Sequence, residues 1–235
     1  MGIGSKFGIT AETGNNIQTL GLIDYWDAAY KKSYISGSTS IYNLASGSLT
    51  PTGSLKDNTG FVGLPTASWT FDGIDDYIEV PNPFNSTANS VCAWVYNESL
   101  VNDRTVVGYW SGQYILYMDT DGAGDGYRVL YVTNAGNRGT SVNNVNAIQD
   151  QWQYVVSTFS PTYVSLYVDG ELIETVTGGA VTLNTTTANI AIGADYPGGG
   201  RDFYGKIANV QIYNRALTAE EVLQNYNAGK DRFGL

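Results

Sequence analysis

From Ser68 to Asn214 the apolar residues recur at every second position or in short unbroken runs, and clusters of Gly, Asn, Asp, Ser and Pro separate them at spacings typical of a β-sandwich. The pattern predicts strands near Ser68–Asp72, Tyr77–Val80, Ser90–Tyr96, Val106–Trp110, Tyr114–Met118, Arg128–Thr133, Gln153–Phe159, Tyr163–Val168, Leu172–Val176, Asn189–Ala194 and Phe203–Asn214. The clearest hairpin is YVSLYV-DG-ELIETV. Its Asp169-Gly170 pair can take the two positive φ values of a type I′ turn, which would pin the register of both flanking strands. Tyr163, Ser165 and Tyr167 then share one face and Val164, Leu166 and Val168 the other, while Glu171 and Glu174, three apart after the turn, point to opposite faces.

The period changes once, near the carboxyl end. Lys206–Asn214 reads as a strand that runs through Arg215-Ala216-Leu217 into a helix over about 218–229. Thr218 and Glu221 have the spacing of a capping box, and Leu217 and Val222 stand at the two staple positions beside it. Gly229 is expected to supply a left-handed cap, with Lys230 and Arg232 placed against the negative end of the helix dipole. At the other end, residues 1–19 are polar, glycine-bearing and without a period, so they read as an extended arm. Residues 31–61 are loop-rich but hold scattered apolar side chains (Tyr34, Ile41, Tyr42, Leu44, Leu49, Leu55), as expected of a segment packed over a sandwich. No repeat or linker divides the remainder, and 20–235 is expected to form one domain.

Composition sharpens this picture. A length of 235 residues suits a single all-β unit with a large core. Only 14% of residues are charged, while 18 are Tyr and 28 are Gly, a balance that favours strands with polar, uncharged surfaces and many turns. The formal net charge of -10 is opposite in sign to the footprint of a phosphate-backbone binder, so nucleic acid is not an expected partner. Histidine is absent, which removes the Ser-His and Cys-His nucleophile pairs and the commonest metal ligand together. The single Cys92, inside the apolar run SVCAWVY, reads as a small buried hydrophobe. The amino terminus lacks a signal-like apolar stretch and no run of about 18 apolar residues occurs, so a soluble chain with no membrane partner is expected.

Several ordered segments resemble the concanavalin A-like lectin/glucanase superfamily, and within it the laminin-G-like domains of the three-block type. They are FDGIDDYIEV (Phe71–Val80), SVCAWVY (Ser90–Tyr96), QWQYVVSTF followed by VSLYVDGELI (Gln151–Ile173), NIAIG (Asn189–Gly193) and the closing GKIANVQIYNRALTAEEVLQNYNAGKDRFGL. Upstream, Gly21–Gly47 resembles the opening strand and Ser-Tyr/Gly-Ser loop of a subgroup frequent in tailed-phage structural genes, and the closing Asn-Tyr-Asn-Ala and Arg-Phe-Gly belong with it. The resemblance implies an all-β concanavalin A-like sandwich (jelly roll) with one short carboxyl-terminal helix and an extended amino-terminal arm. It leaves function to be argued from sites, because this scaffold serves lectins, glucanases, adhesion modules and architectural proteins.

Four kinds of site come under consideration. Glucanases on this scaffold use two carboxylates on one strand face, in a Glu-x-Asp-x-x-Glu pattern that this chain lacks; Glu220 and Glu221 instead open the helix. The expectation is a protein that is not an enzyme. Calcium needs several hard oxygen ligands, and Asp119, Asp121 and Asp125 in DTDGAGDG are the candidate metal residues, although the EF-hand spacing fails at Ala123 and Leu130. Asp72, Asp75 and Asp76 form a second acidic group, while Ala208 stands where many relatives have Asp. No cofactor is expected, calcium being the one candidate. Glycan binding needs aromatic faces beside amides or carboxylates, and Tyr109, Trp110, Tyr196, Arg201, Asp202 and Tyr204 are the candidates, the last four on or beside the permissive PGGGRD loop. The arm, finally, suits docking onto a partner. The leading expectation is a phage virion structural protein, a capsid decoration or tail-associated chain. It would be displayed on the particle surface, attached to capsid or tail proteins or to its own copies, and fitted to host or environmental glycans. A cellular carbohydrate-binding lectin module is the main alternative and a glycoside hydrolase the third.

Overall fold

A computed structural model describes residues 16–47, 52–84, 87–100, 103–109, 114–119, 126–140 and 147–235. Two antiparallel sheets face each other. The front sheet runs from one edge as β14 (Glu171–Thr177), β13 (Tyr163–Val168), β12 (Trp152–Ser160), β7 (Asn89–Asn97), β16 (Tyr204–Tyr213), β5 (Ser68–Asp72) and β4 (Gly60–Val62), with β1 (Leu22–Asp27) also paired to β16. The back sheet runs β11 (Gly136–Gly139), β10 (Gly126–Thr133), β9 (Tyr114–Asp119), β8 (Arg104–Tyr109), β15 (Ile190–Ile192), β6 (Tyr77–Val80), β3 (Gly53–Lys56) and β2 (Ser40–Ile41).

Alternation along the central strands builds the core between them. Val91, Ala93 and Val95 of β7, Val155 and Phe159 of β12, and Val164, Leu166 and Val168 of β13 meet Leu116, Met118, Tyr127, Val129 and Tyr131 from the back sheet. A polar layer within this core is linked across the sheets: the Asn97 amide donates to the Tyr127 hydroxyl (2.6 Å), Tyr131 donates to Asn89 (2.8 Å), and Tyr114 and Ser157 share a bond of 2.7 Å. Buried hydroxyls paired in this way fix one strand register, because a slip would strand them in apolar surroundings.

The opposite face of the front sheet carries a second core. Cys92, Trp94, Tyr154, Val156, Tyr167, Tyr213, Leu217 and Val222 are buried there beneath α1 (Ala219–Gly229). This explains why SVCAWVY is apolar at consecutive positions: both faces of β7 are covered. Cys92 is fully buried, and burial pushes its thiol up to about 12. The helix starts as the spacing predicts. Thr218 accepts from the Glu221 amide (3.3 Å), Glu221 accepts from the Thr218 amide (2.9 Å), and Arg215 grips the same carboxylate with two bonds of 2.6 and 2.8 Å.

The helix ends differently. Gly229 is right-handed, the chain continues into a 3-10 turn over Lys230–Phe233, and Gly234 at φ 75° is the left-handed cap. Glycine is needed at 229 for space, since a Cβ there would lie 2.6 Å from Trp94 Nε1. The extra turn brings Phe233 onto Trp94 (centroids 4.4 Å, 27°) and Trp152 (4.5 Å). Arg232 is likewise taken from the helix dipole: it donates to both Asp27 oxygens (2.8 and 3.0 Å) and to the Ala67 carbonyl.

Three other expectations are corrected. Residues 31–61 are more than a covering loop, because β2, β3 and β4 extend both sheets, and β11 adds a further strand. The strand expected over Asn189–Ala194 shortens to Ile190–Ile192, because Gly193 at φ 90° turns the chain over the Phe71 ring, where no side chain would fit. The Asp169-Gly170 turn has both positive φ values (52° and 84°), but a bulge on β14 sets Glu171 opposite Val168 and Glu174 opposite Leu166. Cross-strand partners share a face, so the two acids lie on the same side, not opposite sides. At the amino end, residues 16–20 run along α1. The Gln18 amide donates to Asn225 Oδ1 (2.6 Å), Tyr213 donates to the Gln18 carbonyl (2.9 Å) and Gln224 donates to the Asn16 carbonyl (2.7 Å). Residues 1–15 of the arm lie outside the described residues. No helix among the described residues is long and apolar enough to cross a membrane.

Candidate functional site

The loop between β15 and β16 is held at its base and open at its tip. Phe203 is fully buried, meets Phe71 edge-on (6.1 Å, 86°) and donates its amide to the Gly193 carbonyl (2.7 Å). A tight turn follows Asp195, with bonds from the Asp195 amide to the Gly200 carbonyl and from the Gly199 amide to the Tyr196 carbonyl. Arg201, at φ 53°, passes its carbonyl to the Thr105 amide on β8 (2.8 Å). The fold-back lays the Asp195 backbone over Gly108, where a Cβ would lie 3.2 Å from the Asp195 Cα. Among the described residues, Tyr196 at the tip and Tyr204 at the root are the large aromatics exposed to solvent, at 40% and 38%.

Charged groups surround this loop. Arg201 pairs with Asp103 (3.3 Å) and Asp195 (3.7 Å) and lies 5.9 Å from the centre of the Tyr117 ring. Arg104 ties the site to the β5–β6 turn, donating to the carbonyls of Asp202 (2.7 Å) and Gly73 (3.0 Å). In that turn Asp72, Asp75 and Asp76 bring carboxylate oxygens within 4.8 Å of one another. Much of this acidity is spent on shape: Asp76 accepts from the amides of Asn58 and Asp72, and Asp72 accepts from Ile74, each at 2.9 Å. Burial pushes the Asp202 carboxyl up to about 6, with Asp195 and Asp75 adding to the rise. Burial also raises Asp195, against the pull of Arg201.

Several acceptors here are left open. Asp195 is only 6% exposed, yet its Oδ1 accepts no hydrogen bond among the described residues, and the same holds for Asp202 Oδ1 and for Thr105 Oγ1 on fully buried Thr105. Buried acceptors are normally paired, so a cluster of open ones beside exposed rings is a chemical demand for donors.

Of the residues expected to bind glycan, the structure gathers Tyr196, Arg201, Asp202 and Tyr204 at this loop. Tyr109 is at the other end of β8 and packs against the main core, and Trp110 lies outside the described residues. Of the expected metal residues, Asp119 ends β9 and is paired to Arg128, while Asp121 and Asp125 lie outside the described residues. Thr105, Arg104, Asp103, Asp195 and Tyr117 join the site without having been expected; only Asp195 carried a signal, as a loop neighbour of Tyr196.

The family described as the concanavalin A-like lectin/glucanases superfamily matches residues 72–223, and the chain belongs to it. No curated protein matches by sequence. Among solved structures, domain 4 of AbnA, a GH43 extracellular arabinanase from Geobacillus stearothermophilus, in complex with arabinotriose, is similar at a TM-score of 0.67 and 17% identity, covering 87% of this chain and 98% of that one. The botulinum neurotoxin type G receptor binding domain is similar at 0.64 and 13%, covering 88% and 51%. Trypanosoma rangeli sialidase in complex with sialic acid is similar at 0.61 and 17%, covering 90% and 33%. The chain thus spans nearly all of the arabinanase domain but about half of the toxin domain and a third of the sialidase. At these identities the likeness is one of fold.

Proposed function

We propose that this chain is a non-enzymatic, lectin-like module that binds glycan at the β15–β16 loop and is displayed on a phage virion. The observation that carries the binding reading is the pairing of exposed Tyr196 and Tyr204 with the open acceptors of Asp195, Asp202 and Thr105. Aromatic faces take the C–H surface of a sugar ring, and fixed acceptors orient its hydroxyls. An arabinotriose complex of a domain with the same fold supports the reading. The virion assignment is supported by the resemblance of Gly21–Gly47 and of the closing segment to phage structural chains. In it, residues 1–15 reach capsid or tail proteins or a second copy, from a starting point fixed on α1 by Asn16 and Gln18.

The module needs no metal in this reading, so a chelator should leave its melting temperature unchanged. Binding to insoluble polysaccharides, scored by co-sedimentation, tests the main claim. Tyr196→Ala with Tyr204→Ala should abolish pull-down while the circular dichroism spectrum is preserved. Unchanged binding by that variant refutes the assigned site, and release of reducing ends from any glucan refutes the non-enzymatic reading.

A further inference from the structure

We infer that the β15–β16 site is built for neutral, hydroxyl-rich glycans and rejects sugars that carry carboxylates. The inference rests on the glycan-binding reading above and adds the chemical class of the ligand.

Two observations carry it. First, the open hydrogen-bonding capacity of the two aspartates is acceptor capacity: Asp195 Oδ1 and Asp202 Oδ1 are buried and take no proton among the described residues, while the Thr105 hydroxyl, open as well, can accept or donate. A carboxylate has acceptors only, so it answers none of the open aspartate oxygens, whereas each sugar hydroxyl brings a donor. Second, the cations that would welcome an anion are committed. Arg201 is shared between Asp103 and Asp195, Arg104 holds the Gly73 and Asp202 carbonyls, and Arg128 holds Asp119. Bidentate capture of a carboxylate by arginine needs a free face of the guanidinium fork, and breaking an existing pair would leave a buried aspartate uncompensated. Asp72, Asp75 and Asp76 on the adjoining turn add further negative charge, and the chain as a whole carries -10. An anionic sugar therefore approaches against the local field and the global one.

The depth of the acceptors sets the geometry. Asp195 is covered by its own loop, and the same backbone lies over Gly108 beside fully buried Thr105. A pyranose or furanose stacked on Tyr196 would point a hydroxyl edge down toward these groups. Recognition by buried acceptors is discriminating, because a ligand that cannot donate leaves them desolvated and unpaired.

Calorimetric titration of the full chain against matched oligosaccharide pairs, neutral gluco-, arabino- and galacto-oligomers beside their uronic acid counterparts, tests this at two salt concentrations and with chelator present. The expected result is binding of at least one neutral oligomer, insensitive to salt and chelator, with its uronate weaker by about tenfold or more. Asp195→Asn replaces an acceptor oxygen by a donor amide and should weaken the neutral ligand while narrowing the gap to the uronate; Asp202→Asn serves as the second variant if the first does not fold. A uronate that binds as well as its neutral partner overturns the inference and leaves the glycan reading standing. Binding abolished by the chelator overturns it too, since a divalent ion would then be what fills the acceptors. No binding by either class removes the glycan reading itself.

Discussion

Replacing Arg232 should be among the most damaging single changes in this protein, although it stands at the fourth-last position of the sequence. Its guanidinium makes two bonds to Asp27 and one to the Ala67 carbonyl, so it ties the carboxyl-terminal turn to β1 and to the segment leading into β5. The Asp27 side chain is 6% exposed and that of Arg232 20%. Arg232→Ala would leave the buried carboxylate without a cation, its remaining bonds coming from the Tyr25 hydroxyl (2.9 Å) and the Ala29 amide (2.8 Å). Removing one partner of a buried pair costs about 3–5 kcal/mol. In a domain of this size that lowers the melting temperature by on the order of 10 °C. Urea unfolding followed by tryptophan fluorescence is the assay, because Trp94 and Trp152 both stack on the neighbouring Phe233. The double variant Asp27→Asn, Arg232→Met removes both charges and should lose less than the single one. A loss below about 1 kcal/mol for Arg232→Ala, the range of a surface pair, would refute the reasoning.

Thr218→Ala deletes the cap acceptor of α1 and should cost about 1 kcal/mol, read as a shift in urea midpoint; an unmoved midpoint would mean that the bonds of the Glu221 carboxylate to Arg215 and to the backbone amide of residue 218, which the substitution keeps, fix the helix start without the hydroxyl. Asp24 and Asp202 are both raised from 3.8 to about 6 by burial, so the folded chain keeps protons that the unfolded chain has lost. Their contribution is full below the unfolded value and is lost as pH rises through about 6. The urea midpoint should therefore fall between pH 4 and pH 7, less steeply in Asp24→Asn, Asp202→Asn; an equal fall in that variant would contradict the assignment. Removing residues 1–15 should leave stability unchanged, whereas removing 1–19 takes away both the Gln18 partner of buried Asn225 and the carbonyl that accepts from Tyr213, at about 1–3 kcal/mol. Equal melting of the two truncations would show that the docked residues do not matter.

What could be read from sequence followed how local its cause is. β5, β6 and β13 match their expected bounds because alternation and flanking turns lie within each segment. The capping box was legible for the same reason. β2, β3 and β4 are two to four residues long and hold Gly53 and Gly60, too short for a period; they are strands because neighbours pair with them. Gly229 looked like a helix stop, and its actual reason, the Trp94 ring, is far away in the chain. The bulge on β14 that moves Glu171 and Glu174 to one side leaves no mark in composition. At the candidate site, Tyr196, Arg201, Asp202 and Tyr204 were visible as one exposed loop. Thr105 and Tyr117 were not, because they join it only through the pairing of β8 with β9 and β15 and through the turn that folds Asp195 over Gly108.

Hydrogen exchange read by mass spectrometry, with the intact chain in the absence and presence of a saturating neutral oligosaccharide, tests the central claim most directly. The account predicts protection confined to 193–204 and the facing start of β8 around Arg104 and Thr105, with no change at Tyr96 and Trp152, cross-strand partners of β7 and β12 whose rings pack together at 5.5 Å. Protection at Tyr96 and Trp152 instead, or none at the loop under saturation, would contradict it.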